Sequence, residues 1–188
     1  MSSEALKVLF YPKLQDATLV LGFSGWMDGG EVSTGTVEFL RAKVGALHVA
    51  EIDPEPFYLM NFPGSMEVAS LFRPRVKIED GLVTEIDEPS SVFYCSPQHN
   101  LVLFVGKEPN LRWGDFMDCL FQLIADFNVA RVFFIGTVAG LVPHTREPRL
   151  FSSVSDRALL THMKRHGCLP SNYEGPGSFV TAMTVKAR

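Results

Sequence analysis

The sequence predicts an α/β fold in which helices cover both faces of a mixed, mostly parallel sheet, giving three layers. Short apolar runs typical of strands alternate along the chain with segments whose apolar residues recur at helical spacing, which is the pattern of layered α/β domains. The run at 132–135 is apolar throughout, as in parallel strands covered on both faces. At 188 residues the chain has the length of one domain, so we expect 1–188 to form a single α/β domain.

The first strand–helix unit lies near the N-terminus. A glycine-rich turn over 22–30 separates a strand at 18–21 from a helix over 32–44, which ends at a glycine. Asp28 precedes this helix, and Glu31 lies three residues after Asp28. This spacing approximates a capping box. We therefore expect Asp28 to cap the helix.

A β-hairpin is predicted near residues 75–86. The runs 76–79 and 82–86 flank Asp80-Gly81, a dipeptide that strongly favours a two-residue hairpin turn. Apolar and charged residues alternate in both runs, so we expect a ribbon inserted into the fold with one face in water and one face covered.

Further strands and helices follow the same alternating pattern. The run 47–52 is predicted as a strand, and 101–105 is the best candidate for a central strand of the sheet. A helix is predicted over 113–127, then the strand 132–135, and then a helix over 155–166. The segment 180–185 shows no capped helix end.

Composition and charge exclude several classes of protein. The formal net charge is −4, so the chain lacks the basic footprint of nucleic-acid binders. Its longest apolar run is about five residues, against the ~20 of a membrane span, and no secretory signal pattern is present. Three widely spaced cysteines do not form a disulfide framework and fit a reducing cytoplasm. We expect a cytoplasmic protein that binds neither nucleic acid nor membrane.

The glycine-rich turn at 22–30 does not match a phosphate-binding motif. It contains neither G-x-G-x-x-G nor G-K-[ST], and it carries Asp28 and Glu31 without any lysine or arginine. Trp26 stands where the nucleophile elbow G-x-S-x-G requires its last glycine. A tight turn with a capped helix explains the segment best, and no cofactor is expected.

A second loop contains residues suited to ligand binding. His144 and Arg146 follow the strand at 132–135, and ligands of open α/β sheets bind beyond the carboxyl ends of strands. The alternative, which the sequence leaves open, is that this loop is solvated and that its charged residues form structural pairs without binding a ligand. The sequence identifies no catalytic residue and does not decide whether the protein is an enzyme. The ligand-binding candidates are Asp28, Glu31, His144, Arg146 and Tyr173.

A zinc site is an alternative for the helix at 155–166. His162 and His166 lie one helical turn apart, and Cys168 is close in sequence. Met163 replaces the glutamate of H-E-x-x-H, and basic residues near a helix C-terminus are favourable without a metal. We expect no metal.

The segment 54–74 is apolar but poorly periodic. It either fills the core of a monomer or forms a subunit interface. The interface candidates are its aromatic residues Phe57, Tyr58, Phe62 and Phe72.

Three segments together resemble one protein family. Residues 25–32 resemble a G-W-x-D-A-G-x-x-A turn, residues 143–148 a P-H-T-R-x-P loop, and residues 173–177 a Y-x-G-P-x-G segment that precedes a late helix. In this order they resemble the proteasome-assembly-chaperone family, in its bacterial and archaeal branch. The likeness extends from about Leu14 to Val180.

The resemblance implies a phosphorylase/hydrolase-like fold, often assembled into homo-oligomers such as trimers. It also implies a non-catalytic protein-interaction or assembly-chaperone-like role with a protein client. Some relatives are named carboxylate–amine ligase or ATP-grasp enzyme, but no basic nucleotide-binding loop supports those names here. The alternative is a small-molecule-binding or hydrolase/phosphorylase-like enzyme with a pocket between loops 22–31 and 143–149. Because relatives usually continue further, we expect a chain truncated at its C-terminus or an oligomer.

Overall fold

The computed structural model describes residues 4–138, 140 and 142–188, and the chain divides into two compact units, Met1–Thr137 and Val138–Arg188. The first unit carries a six-stranded sheet with a separate hairpin, and the second consists of short strands and helices. Within the described residues, no helix is long and apolar enough to cross a membrane.

The first unit contains eight strands and three α-helices among the described residues. They are β1 (Leu6–Val8), β2 (Ala17–Ser24), α1 (Val32–Val44), β3 (Leu47–Ile52), α2 (Met66–Ser70), β4 (Arg75–Glu79), β5 (Leu82–Asp87), β6 (Ser91–Ser96), β7 (Leu101–Lys107), α3 (Trp113–Asp126) and β8 (Val129–Phe134). Single 3₁₀ turns occur at Gly29–Glu31 and Pro97–His99.

The six-stranded sheet has the order β1-β3-β6-β7-β2-β8. Strand β2 is parallel to both β7 and β8, whereas the pairs β1–β3, β3–β6 and β6–β7 are antiparallel. Two antiparallel steps separate β3 from β7, so β3 points the same way as β2, β7 and β8. Four of the six strands therefore share one direction, and the predicted mixed, mostly parallel sheet is confirmed.

Helices lie on both faces of this sheet because side chains alternate along β2. Val20 faces one side, where it clusters with Leu103 of β7 and Val37 of α1. Phe23 faces the other side, where its ring centroid lies 6.4 Å from that of Phe116 in α3. All five side chains are buried, so the three-layer α/β/α architecture is confirmed.

The β4–β5 hairpin forms a sheet of its own, as the sequence predicts. Asp80 (φ 50°) and Gly81 (φ 79°) both have positive φ, which is the geometry of a type I′ turn. The expectation of one covered face is wrong, because every residue of both strands is exposed. The alternation therefore produces an amphipathic ribbon whose apolar side has no cover within the described residues.

Strand β8 is parallel, as predicted, but it is not a doubly covered interior strand. It lies at the edge of the sheet beside β2, with Val132 and Phe133 about two-fifths exposed. An apolar run alone does not distinguish a central strand from an edge strand, because that distinction depends on strand order.

The second unit contains β9 (Phe151–Ser152), α4 (Leu159–Arg165), β10 (Leu169–Pro170) and α5 (Phe179–Lys186), with β9 and β10 paired in parallel. Helix α4 is shorter than the predicted 155–166, because residues 155–158 form bends and turns instead of helix. Gly167 has φ 77°, which fits its position just beyond the helix.

Helix α5 corrects the expectation for 180–185. Ser178 is its N-cap, and the Ser178 Oγ accepts a hydrogen bond from the Thr181 amide at 3.2 Å. A serine directly before the apolar pair Phe179-Val180 was the sequence signal for this start.

Candidate functional site

The loop after β2 is closed by the carboxylate of Asp28. Its Oδ1 accepts hydrogen bonds from the Ser33 amide at 2.7 Å and the Thr34 amide at 3.1 Å, and its Oδ2 accepts one from the Thr34 hydroxyl at 2.7 Å. Asp28 therefore caps α1, as predicted. The capping box is not formed, since Glu31 occupies the N-cap position with φ 56° and makes no side-chain cap. The helix amides that a phosphate would need already hold a carboxylate.

Contacts from the ends of two neighbouring strands fix the same loop. Oε2 of Glu108, just after β7, accepts a hydrogen bond from the Trp26 amide at 3.3 Å. After β8, the Thr137 amide donates to the Met27 carbonyl at 2.8 Å, and the Thr137 hydroxyl donates to the Gly29 carbonyl at 2.6 Å. The loop is held from both sides while the Trp26 side chain remains 62% exposed.

A buried tyrosine anchors the carboxyl end of β7. The Tyr58 hydroxyl donates to the Lys107 carbonyl at 2.7 Å and lies 3.1 Å from the Ser91 Oγ. Burial disfavours the phenolate and raises the pKa of Tyr58 to about 12, so the hydroxyl remains a donor into the alkaline range. At Gly106, a Cβ would lie 2.6 Å from the Phe104 ring, so this close packing requires glycine.

A pocket of about 320 Å³ lies at the carboxyl ends of β2 and β7. Ser24 and Lys107, the last residues of these strands, line it together with Thr34 from the first turn of α1. The segments 72–75 and 87–90, which enter and leave the hairpin, line the rest. Neither segment was among the ligand-binding residues predicted from the sequence, although Phe72 was predicted as an interface residue. The available signal was the pair of arginines and the pair of carboxylates that flank the predicted hairpin.

The hairpin presents two chemically different faces. Its register pairs Val76 with Ile86 and Ile78 with Val83, and these side chains are 46–65% exposed. We call them the apolar hairpin face: Val76, Ile78, Val83 and Ile86. The register also pairs the charged residues of the opposite face, which are Arg75, Lys77, Glu85 and Asp87.

Comparison with known proteins identifies the family. The model of the PAC2 family matches residues 22–188, which is most of the chain. The chain belongs to the PAC2 family. No curated protein sequence matches it significantly.

Solved structures of PAC2 relatives share the fold. A proteasome-assembly chaperone homologue of Mycobacterium tuberculosis is 29% identical with a TM-score of 0.74, and the match covers 88% of this chain and 67% of that one. A PAC2 family protein of Streptomyces avermitilis is 24% identical with a TM-score of 0.71, covering 92% and 69%. An archaeal proteasome-assembly chaperone homologue of Pyrococcus furiosus, 12% identical with a TM-score of 0.59, covers 98% and 67% and shares the fold. The chain spans about two thirds of their lengths.

PAC2 membership confirms the resemblance drawn from the three motif segments. The ligand-binding candidates divide between the units: Asp28 and Glu31 belong to the first, and His144, Arg146 and Tyr173 belong to the second. Of the first pair, Asp28 has a structural role as a cap. The Tyr173 hydroxyl donates to the Pro176 carbonyl within its own segment at 3.1 Å. A ligand-binding role for the five residues stays a prediction.

The aromatic residues of 54–74 separate into two pairs. Phe57 and Tyr58 are buried in the first unit, and the Phe57 ring packs edge-on against Phe116 with centroids 5.0 Å apart. Phe62 and Phe72 stack on each other at 5.1 Å, and Phe62 is 43% exposed. Phe57 and Tyr58 thus fill the core, which was one of the two alternatives for this segment. Phe62 and Phe72 are the more exposed pair, and an interface role for the four aromatic residues stays a prediction.

Other reactive side chains of this PAC2 chain do not form a site in the described ranges. His162 and His166 pack with ring centroids 4.8 Å apart, but no group of three or more His, Cys, Asp or Glu residues within 4–138, 140 and 142–188 is arranged to hold a metal ion. Cys95 and Cys119 are buried, and burial raises the pKa of Cys95 to about 11. A thiol with so high a pKa is a poor nucleophile at neutral pH.

Proposed function

We propose that this PAC2 chain is a non-catalytic protein-interaction domain with an assembly-chaperone-like role, and that it works as a homo-oligomer. The observation that carries the proposal is the exposed apolar hairpin face. The 29% identical Mycobacterium tuberculosis relative, described as a proteasome-assembly chaperone homologue, supports the same kind of role. The trimeric state, the protein client and the cytoplasmic location that the resemblance implies belong to this proposal.

The energetics of the apolar hairpin face favour a protein partner. Its four aliphatic side chains are about half exposed or more, so covering them is worth about 3–6 kcal/mol in total. Contiguous apolar patches of this kind mark interaction surfaces, whereas singly scattered apolar residues do not. A second copy of the chain supplies another apolar hairpin face to cover this one, and in a trimer that contact is heterologous, because an isologous contact closes as a dimer.

The carboxylates next to the strand ends are used for structure, which favours interaction over catalysis. Asp28 holds the α1 amides, and Glu108 holds the loop at Trp26. The Tyr58 hydroxyl donates its hydrogen bond to the Lys107 carbonyl. These groups stabilise a scaffold from which the hairpin extends.

Sedimentation velocity tests the proposal directly. We expect the native chain to sediment as an oligomer and Ile78→Lys to shift it to the monomer, because a lysine cannot be buried in the contact. Glu85→Gln is the matched control, since it also changes the charge by one unit but lies on the opposite face. Circular dichroism checks that both variants fold. A monomeric native chain, or a folded Ile78→Lys variant that sediments like the native oligomer, contradicts the proposal.

A further inference from the structure

The pocket at the ends of β2 and β7 lies at a topological switch point of the sheet. From β2 the chain passes through α1 to β3 on one side, whereas from β7 it passes through α3 to β8 on the other. The two helices lie on opposite faces, as the packing of Val37 and Phe116 shows. Neighbouring parallel strands whose connections pass to opposite faces of the sheet leave a crevice beyond their carboxyl ends, and open α/β sheets bind ligands there.

The residues lining this crevice are rich in cations, although the chain as a whole is acidic. Arg73, Arg75 and Lys107 line the pocket against Asp87 and Glu88, whereas the whole chain has 17 basic and 21 acidic residues. The six ion pairs found within the described ranges involve none of these three cations. The Arg73 guanidinium donates to the Asn61 side chain at 3.2 Å and keeps its other donors.

The remaining lining is apolar, and the volume is small. Phe72, Pro74, Pro89 and Val105 supply hydrocarbon surface beside the cations. A pocket of about 320 Å³ holds roughly ten water volumes, at the lower end of the range for small-molecule sites.

From this combination we propose that the switch-point pocket binds a small organic anion through Arg75 and Lys107. Its carboxylate or phosphate group pairs with these two cations, and its apolar body lies against Phe72 and the prolines. Arginine presents parallel donors that match both kinds of oxyanion. The α1 amides do not take part, since the Asp28 carboxylate occupies them. The site lies wholly within the first unit and is independent of the apolar hairpin face.

Asp87 and Glu88 weaken anion binding in this pocket but do not outnumber its three cations. Asp87 lies directly across the hairpin from Arg75, so a ligand must compete with this carboxylate for the guanidinium. A cationic ligand would be repelled by Arg73, Arg75 and Lys107, and the two carboxylates offset only part of this positive charge. The site therefore prefers anions to cations of the same size and shape.

Amide chemical shifts of the ¹⁵N-labelled full chain test this inference, with benzoate and phenyl phosphate as probes and benzylamine as the cationic control. We expect saturable shifts at Ser24, Gly106 and Lys107 with at least one anion, and none with benzylamine. Arg75→Gln and Lys107→Gln each raise the dissociation constant about tenfold or more, because each removes a charge-assisted hydrogen bond. Lys77→Gln is the matched control, since Lys77 shares the charged face of the hairpin but does not line this pocket.

The two anions also show which anionic group the pocket binds, a phosphate or a carboxylate. Tighter binding of phenyl phosphate identifies a phosphate ligand, and tighter binding of benzoate identifies a carboxylate ligand. The inference is overturned if neither anion gives saturable shifts at concentrations up to about 20 mM. Such concentrations also reveal dissociation constants in the millimolar range. Equal shifts with benzylamine, or unchanged affinity in both folded variants, also overturn the inference. Neither outcome affects the sedimentation test of the proposed function.

Discussion

The ends of the central strands and the hairpin use polar and apolar side chains in opposite ways. At the ends of β2 and β7, the polar groups of Asp28, Glu108 and Tyr58 are directed inward to backbone partners. In the hairpin, the apolar groups of Ile78 and Val83 are directed outward and are more than 60% exposed. In the first region these three polar groups stabilise the fold itself, whereas in the second the apolar side chains are available to another molecule.

The difference has a direct consequence for mutations. Substitutions near the strand ends and in the core should change the free energy of unfolding. Substitutions on the apolar hairpin face should change association and leave that free energy nearly constant. Variants that violate this division would show that the hairpin is part of the folded core.

The largest expected effect is that of Phe116→Ala. Phe116 is fully buried between Phe57 and the sheet, so truncation should lower the free energy of unfolding by about 3–5 kcal/mol. Ile78→Ala on the hairpin should lower it by less than about 0.5 kcal/mol, because Ile78 is 63% exposed. Urea denaturation measures both at a protein concentration where the chain is monomeric. Similar losses in the two variants would remove the distinction between the regions.

The next effect depends on pH through Tyr58. Its pKa is about 12 in the folded chain and about 10 when unfolded, because burial disfavours the phenolate. The stabilisation is fully present below pH 10 and is lost as the pH rises through 12, by about 2–3 kcal/mol. Tyr58→Phe removes this contribution, so the native chain should lose more stability than the variant between pH 10 and 12.

Denaturation curves of native chain and Tyr58→Phe at several alkaline pH values measure the difference. Tyr173→Phe is the control, because Tyr173 is 68% exposed. Parallel losses in the native chain and Tyr58→Phe would show that the phenol is not buried in solution.

Local chemistry made much of this molecule predictable from sequence. The hairpin follows from Asp80-Gly81, because both residues tolerate the positive φ that a two-residue turn needs. The strands around 18–21 and 101–105, and the helix at 113–127, follow from their periodicity. These features depend on neighbours along the chain.

Two of the features that were missed depend on strand order, and a third depends on a local turn. The exposure of Val132 and Phe133 follows from the edge position of β8, which periodicity does not encode. The pocket required the hairpin flanks 72–75 and 87–90 to lie beside the ends of two strands distant in sequence. The Asp28–Glu31 spacing predicted the cap but not its geometry, because a 3₁₀ turn at Gly29–Glu31 separates Asp28 from the amides it binds.

That unusual cap gives the smallest of the three effects on stability. Asp28→Ala removes the acceptor for the Ser33 and Thr34 amides and should lower the free energy of unfolding by about 1–2 kcal/mol. Asp28→Asn retains one amide-accepting oxygen and should lose less. Glu31→Ala is the matched control, because Glu31 makes no side-chain cap and its loss should cost less than about 0.5 kcal/mol. Equal losses in the free energy of unfolding for Asp28→Ala and Glu31→Ala, measured by urea denaturation, would contradict the assigned cap. The loop after β2 would then resemble the hairpin, whose substitutions barely change stability, and not the strand ends.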